Sequence, residues 1–117
     1  MCGEIETIHN LYEEVFLLGE LNELQKRVYQ NKINKGFNVT DISMEFCFTH
    51  GELSEAFLAY IKKKPDLGEE LADVAIYLLG LSEILGINLE NEILHKIEKN
   101  EKRQYIKHDG VTIRVSE

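Results

Sequence analysis

The sequence predicts an all-α protein: a helical bundle of four to five helices, assembled as a dimer or tetramer, with a short irregular or hairpin tail. Three observations predict the helical class. Apolar residues recur at helical rather than alternating spacing along most of the chain. The 117 residues include one proline, Pro65, and eight glycines, so helix breakers are few. From Leu71 to Leu81 the chain is apolar almost all round, the pattern of a helix buried in a bundle core or between protomers.

The first helical segment falls within residues 1–36. Ile5, Ile8, Tyr12 and Val15 form one stripe; Leu17, Leu21, Leu24 and Val28 form a second. The stripes are offset near Gly19, which predicts a kink there. Asn34-Lys35-Gly36 reads as a stop. A second helix starts after Asp41, a good N-cap, and runs to about Lys63. Its apolar side is Phe46, Leu53, Phe57, Tyr60 and Ile61. Lys62, Lys63 and Lys64 follow, suited to the negative end of a helix dipole, or to attracting phosphate. Asp66-Leu-Gly-Glu69 resembles a capping box and opens a third helix, which Gly86 ends near Leu85. Asn88 caps a fourth, from Leu89 to about Arg103. In the tail, residues 106–117, Asp109-Gly110 precedes Val111, Ile113 and Val115, as in a small hairpin or an arm over a partner. Residues 1–117 form one domain, with the motif-bearing core at 41–105.

Composition narrows the function. Thirteen basic against twenty-one acidic side chains give a net charge of −8, which disfavours nucleic acid, since polyanions need a basic footprint. Cys2 and Cys47 make neither a CxxC pair nor a zinc spacing, so a reducing cytoplasm is expected, with Cys47 as a small core hydrophobe. The acidic N-terminus lacks the order of a signal peptide, and no apolar run approaches the roughly 18 residues of a membrane span. A soluble cytoplasmic protein without a membrane partner is the expectation.

The anomaly is Asp73, inside the most hydrophobic stretch, where an ionised carboxylate is costly unless compensated. Glu70, three residues earlier, projects from the same helix face. Like charges this close raise each other's pKa unless a cation lies between them. The second helix carries a matching i, i+3 pair, Glu52 and Glu55. Two such pairs facing each other would surround one cavity with four carboxylates, a donor set for a hard divalent cation such as Mg²⁺. Exx[DE] pairs are also common on solvated faces. On the fourth helix Lys96, Asn100 and Arg103 share a face at i, i+4 and i+7, which suits a polyphosphate and its sugar or base, or an ordinary charged surface.

In combination these segments are familiar. Thr49-His-Gly-Glu-Leu-Ser-Glu55, Glu69-Glu-Leu-Ala-Asp-Val-Ala-Ile-Tyr-Leu-Leu79, Leu85-Gly-Ile-Asn-Leu-Glu90 and the Lys96–Tyr105 series resemble the MazG-like all-α nucleoside triphosphate pyrophosphohydrolases over roughly residues 41–105. The resemblance implies Mg²⁺-dependent cleavage of a (d)NTP substrate to the monophosphate and pyrophosphate, by a homo-oligomer. By position it assigns metal binding to Glu52, Glu70 and Asp73, and nucleotide contacts to Lys96, Asn100, Arg103 and Tyr105. The family pattern EExxE departs here to Phe48-Thr49-His50-Gly51-Glu52. Glu55, one turn on, is a candidate substitute ligand and candidate general base; the alternative is a weakened or lost metal site, with His50 either a ligand or a helix-surface histidine.

Two other readings follow. A non-catalytic nucleotide-binding or regulatory module would explain Thr49. Two ExxH pairs, Glu6/His9 and Glu92/His95, are of the kind di-iron bundles use.

Overall fold

A computed structural model describes the backbone of residues 2–116 and the side chains of residues 19–116. It holds four helices and a hairpin: α1 (Cys2–Lys35), α2 (Ile42–Ile61), α3 (Leu67–Ile84), α4 (Leu89–Lys102), β1 (Tyr105–His108) and β2 (Val111–Arg114). The expected break in α1 is present, because Gly19 leaves helical geometry at φ −169°, ψ 20°. The stripe from Ile5 to Val15, with Leu17, Cys2, Glu6 and His9, lies outside the residues whose side chains are described.

Capping sets the helix ends. Asp41 accepts from the Met44 N–H at 3.0 Å and Asn88 from the Asn91 N–H at 3.1 Å, as the sequence suggests. The capping box expected at Asp66 does not form: Asp66 makes no side-chain cap bond, and its Oδ1 is buried without a partner. α1 and α3 close through paired backbone bonds, Phe37 N–H to Lys32 O with Gly36 N–H to Ile33 O, and Ile87 N–H to Ser82 O with Gly86 N–H to Glu83 O. Both motifs need a left-handed residue, supplied by Gly36 (φ +70°) and Gly86 (φ +68°). α2 closes in the same way, but Lys63 takes the left-handed position at φ +53°.

α3 is the axis of the bundle. α2 runs antiparallel along one side, with Phe48 meeting Tyr77 ring edge to ring face at 6.1 Å and 66°. α1 runs antiparallel along another, where the Gln25 amide donates to Glu83 at 2.8 Å and to the Ile87 carbonyl at 2.7 Å. α4 is anchored at its start, where Glu90 accepts from the Leu21 N–H and the Asn22 amide. β1 and β2 pair antiparallel, Tyr105 opposite Arg114 and His108 opposite Val111, around the Asp109-Gly110 turn. Both turn residues have positive φ, the geometry Asp-Gly favours.

The packing corrects three expectations. The buried apolar residues among those described are Ala56, Ala59, Leu79 and Leu81. The apolar side expected of α2 faces outward instead: Phe57 and Tyr60 are 60% and 66% exposed, and Phe46, Leu53 and Ile61 are open too. α2 packs through its small residues, because alanines let it approach α3 closely. α3 is likewise buried only from Leu79 to Ser82, with Leu71, Ile76 and Leu78 exposed. Cys47, expected in the core, is exposed and free.

Candidate metal centre

Because α2 and α3 are antiparallel, their acidic i, i+3 pairs meet near the α2–α3 turn. Glu52, Glu55 and Glu70 each present an oxygen within 4.8 Å of the other two. Glu52 and Glu70 are half-buried and Glu55 is exposed at the mouth. The second oxygens of Glu52 and Glu70 are buried without hydrogen-bond partners. Burial pushes the Glu52 carboxyl above its ordinary range, helped by the charges of Glu55 and Asp73 and by a hydrogen bond with Glu55 that favours the protonated form. Glu70 is pushed up by burial, then by Asp66, Glu55 and Asp73, against a smaller opposite pull from Lys64.

Asp73 departs from expectation. It is exposed, and it is not one of the three acids within mutual reach. The desolvation argument for a compensating cation at Asp73 therefore fails. Its charge still acts on Glu52 and Glu70. The converging set is Glu52, Glu55 and Glu70, and the case for a cation rests on their proximity and their unpartnered oxygens.

These residues fit a hard divalent ion. All three donors are carboxylate oxygens. Two oxygens bound to one Mg²⁺ lie at most about 4.2 Å apart, and roughly 5 Å apart on Ca²⁺. The three donors, all within 4.8 Å of one another, come to such an ion by small side-chain rotations.

The residues assigned to nucleotide contact do not join the cluster within one chain. α4 packs on α1 among the described residues. It starts beside Leu21 and Asn22, at the end of α3 opposite the acids. Along α3 the rise from Glu70 to Glu83, which sits beside Gln25, is roughly 20 Å. Lys96, Asn100 and Tyr105 are exposed and Arg103 is half-buried. His50, Glu92 and His95 are exposed, and among the described residues they form no three-ligand group, so the ExxH reading gains nothing here.

Sequence reasoning missed the inner wall of the site. Glu45 is 2% exposed and ion-paired with Lys32 of α1, itself 8% exposed. The Lys32 ammonium stands 5.1 Å from the centre of the Tyr77 ring. Burial pushes the Tyr77 hydroxyl up, as do Glu52, Glu45, Asp73 and Glu55. The one available signal was spacing, since Glu45 shares an α2 face with Thr49 and Glu52 and Tyr77 stands one turn after Asp73.

The chain is thus an all-α bundle with acids gathered between two antiparallel helices, one bearing ELADV. The MazG-like family profile matches residues 43–117, and the chain belongs to that family. The family is generally linked to nucleotide pyrophosphohydrolases. Comparisons with curated proteins and with solved structures gave no match.

Proposed function

We propose that the chain is an Mg²⁺-dependent nucleoside triphosphate pyrophosphohydrolase, cleaving a (d)NTP to its monophosphate and pyrophosphate. The observation that carries this is the convergence of Glu52, Glu55 and Glu70 with two buried oxygens unpartnered, in a chain of the MazG-like family. Glu52, Glu55 and Glu70 are the residues that would hold the ion, with Asp73 adding negative field at the edge. A bound Mg²⁺ supplies charge neutralisation at the triphosphate and acidifies attacking water. Glu55, the most exposed of the three acids, would serve as the general base for the attacking water.

Lys96 and Arg103 would pair phosphate oxygens, and Asn100 and Tyr105 the sugar or base. Their distance from the acids within one chain supports a homo-oligomer, dimer or tetramer, in which α4 of one copy completes the cluster of another. The open apolar face of α2 supports the same assembly, since so many exposed aromatic and aliphatic side chains on one helix mark an interaction surface.

A second reading keeps nucleotide binding without turnover. Its support is Thr49, whose hydroxyl donates to the Glu45 carbonyl at 2.8 Å where the family pattern has a glutamate. The two separate in one assay, pyrophosphate release from a panel of nucleoside triphosphates with Mg²⁺. Catalysis predicts turnover that Glu52→Gln lowers at least tenfold. Nucleotide binding by calorimetry, with no release at high enzyme concentration, establishes the second reading instead.

A further inference from the structure

We infer that Lys32, on α1 and outside every motif shared with the family pattern, is a positioning residue for the acid cluster, acting through Glu45 and the ring of Tyr77. The inference rests on the metal-centre reading above. Lys32 meets all three long helices. Its ammonium is paired with Glu45 of α2 and stands over the ring of Tyr77 on α3. Its stem crosses α3 at Gly80, where an added Cβ would come within 3.2 Å of the Lys32 Cδ and 3.3 Å of the Val28 Cγ1. Glycine at that position makes room for the lysine.

Tyr77 is held from two sides, by the Lys32 cation and by the Phe48 ring. Tyr77 stands one turn after Asp73 on α3, and the Phe48 ring it meets lies one turn before Glu52 on α2, so the ring packs in the same α2–α3 seam as the acids. Glu52 stands two turns after Glu45 on the same face of α2, and its inner oxygen has no hydrogen-bond partner to orient it. Its placement depends on the walls that surround it.

A stability role explains the Lys32–Glu45 pair poorly. The second oxygen of Glu45 is buried and unpartnered, so the network is half satisfied. Replacing a buried ion pair by apolar residues of similar volume is often neutral or stabilising, whereas removing one partner strands a charge. Fixing the geometry of a neighbouring site is what such a pair can supply. Groups hydrogen-bonded to metal ligands typically change metal affinity 10- to 100-fold, and a wall one contact further out acts on the same placement.

The test is the double variant Lys32→Met with Glu45→Met, which leaves the net charge unchanged, compared with Lys32→Met alone and with Lys32→Gln plus Glu45→Gln. Each is melted by circular dichroism and titrated with Mn²⁺ by electron paramagnetic resonance, with no nucleotide present. The single variant is expected to melt well below wild type. At least one double variant is expected to melt within a few degrees of wild type yet bind Mn²⁺ ten- to a hundredfold more weakly, a loss that a purely structural pair would not give. A double variant that folds and binds Mn²⁺ as wild type does overturns the inference and leaves the metal centre standing. If both double variants fail to fold, the pair is a stability element and the inference is overturned. Wild-type protein that binds no Mn²⁺ removes the metal centre, and the inference with it.

Discussion

Glu52→Gln should change stability in opposite directions with and without a divalent cation. Glu52 has two carboxylate neighbours whose oxygens come within 4.8 Å. With water-like screening, each like-charge pair at that separation repels by about 0.9 kcal/mol. Salt and the exposure of Glu55 reduce the total to about 1 kcal/mol. In EDTA the variant should therefore be more stable, melting about 4 °C higher. A cation at a hundred times its dissociation constant stabilises wild type by about 2.7 kcal/mol. If losing one ligand weakens binding about a hundredfold, the variant gains only about 0.4 kcal/mol from the same cation. Wild type then leads by roughly 1.3 kcal/mol, and the order reverses. The assay is thermal melting at fixed protomer concentration in EDTA and in Mn²⁺. The same order in both buffers would refute the reasoning, whichever protein led.

The remaining expectations concern pH, packing and helix ends. The folded protein raises the Glu52 carboxyl, so it holds that proton more tightly than the unfolded chain does; stability without metal falls as pH rises through the window and levels off above it. Urea midpoints of wild type against Glu52→Gln, between about pH 4.5 and 7.5, should show a steeper slope in wild type, the raised Glu70 leaving a smaller slope of the same sign in the variant. Mn²⁺ affinity should fall on acidification before an ordinary glutamate would titrate, as titrations at several pH values would show. Gly80→Val forces a branched side chain against Lys32 and Val28 and should lose about 1–3 kcal/mol in a urea titration. Lys63→Gly relieves the left-handed strain at the end of α2 and should gain about 1 kcal/mol by the same measure. Asp41→Ala removes the α2 cap and should lose about 1 kcal/mol.

What the sequence made legible was local. Asp41, Asn88, Gly36, Gly86 and Asp109-Gly110 act through bonds to residues a few positions away, and each does in the structure what its chemistry suggests. The i, i+3 spacing of the acids was local as well, and the antiparallel α2–α3 hairpin turned it into a cluster. Burial was harder to read, because it depends on where partner helices lie. Asp73 sits among aliphatic residues in sequence, yet it lies on an open face of α3. Phe57 and Tyr60 look like core residues, yet α2 meets α3 through Ala56 and Ala59. The Lys32–Glu45 pair joins residues thirteen positions apart on different helices, and no periodicity announces such a contact.

One amide governs how the last helix leaves the bundle. Gln25 reaches both Glu83 and the Ile87 carbonyl, bracing the corner from which α4 departs. α4 has 14 residues and so is about 21 Å long, and pivoting its root by about 10° sweeps the far end through roughly 4 Å. Lys96, Asn100 and Arg103 ride on that lever arm. A substitution at Gln25 that loosened this corner, despite the Glu90 anchor, would therefore shift all three side chains together without touching any of them.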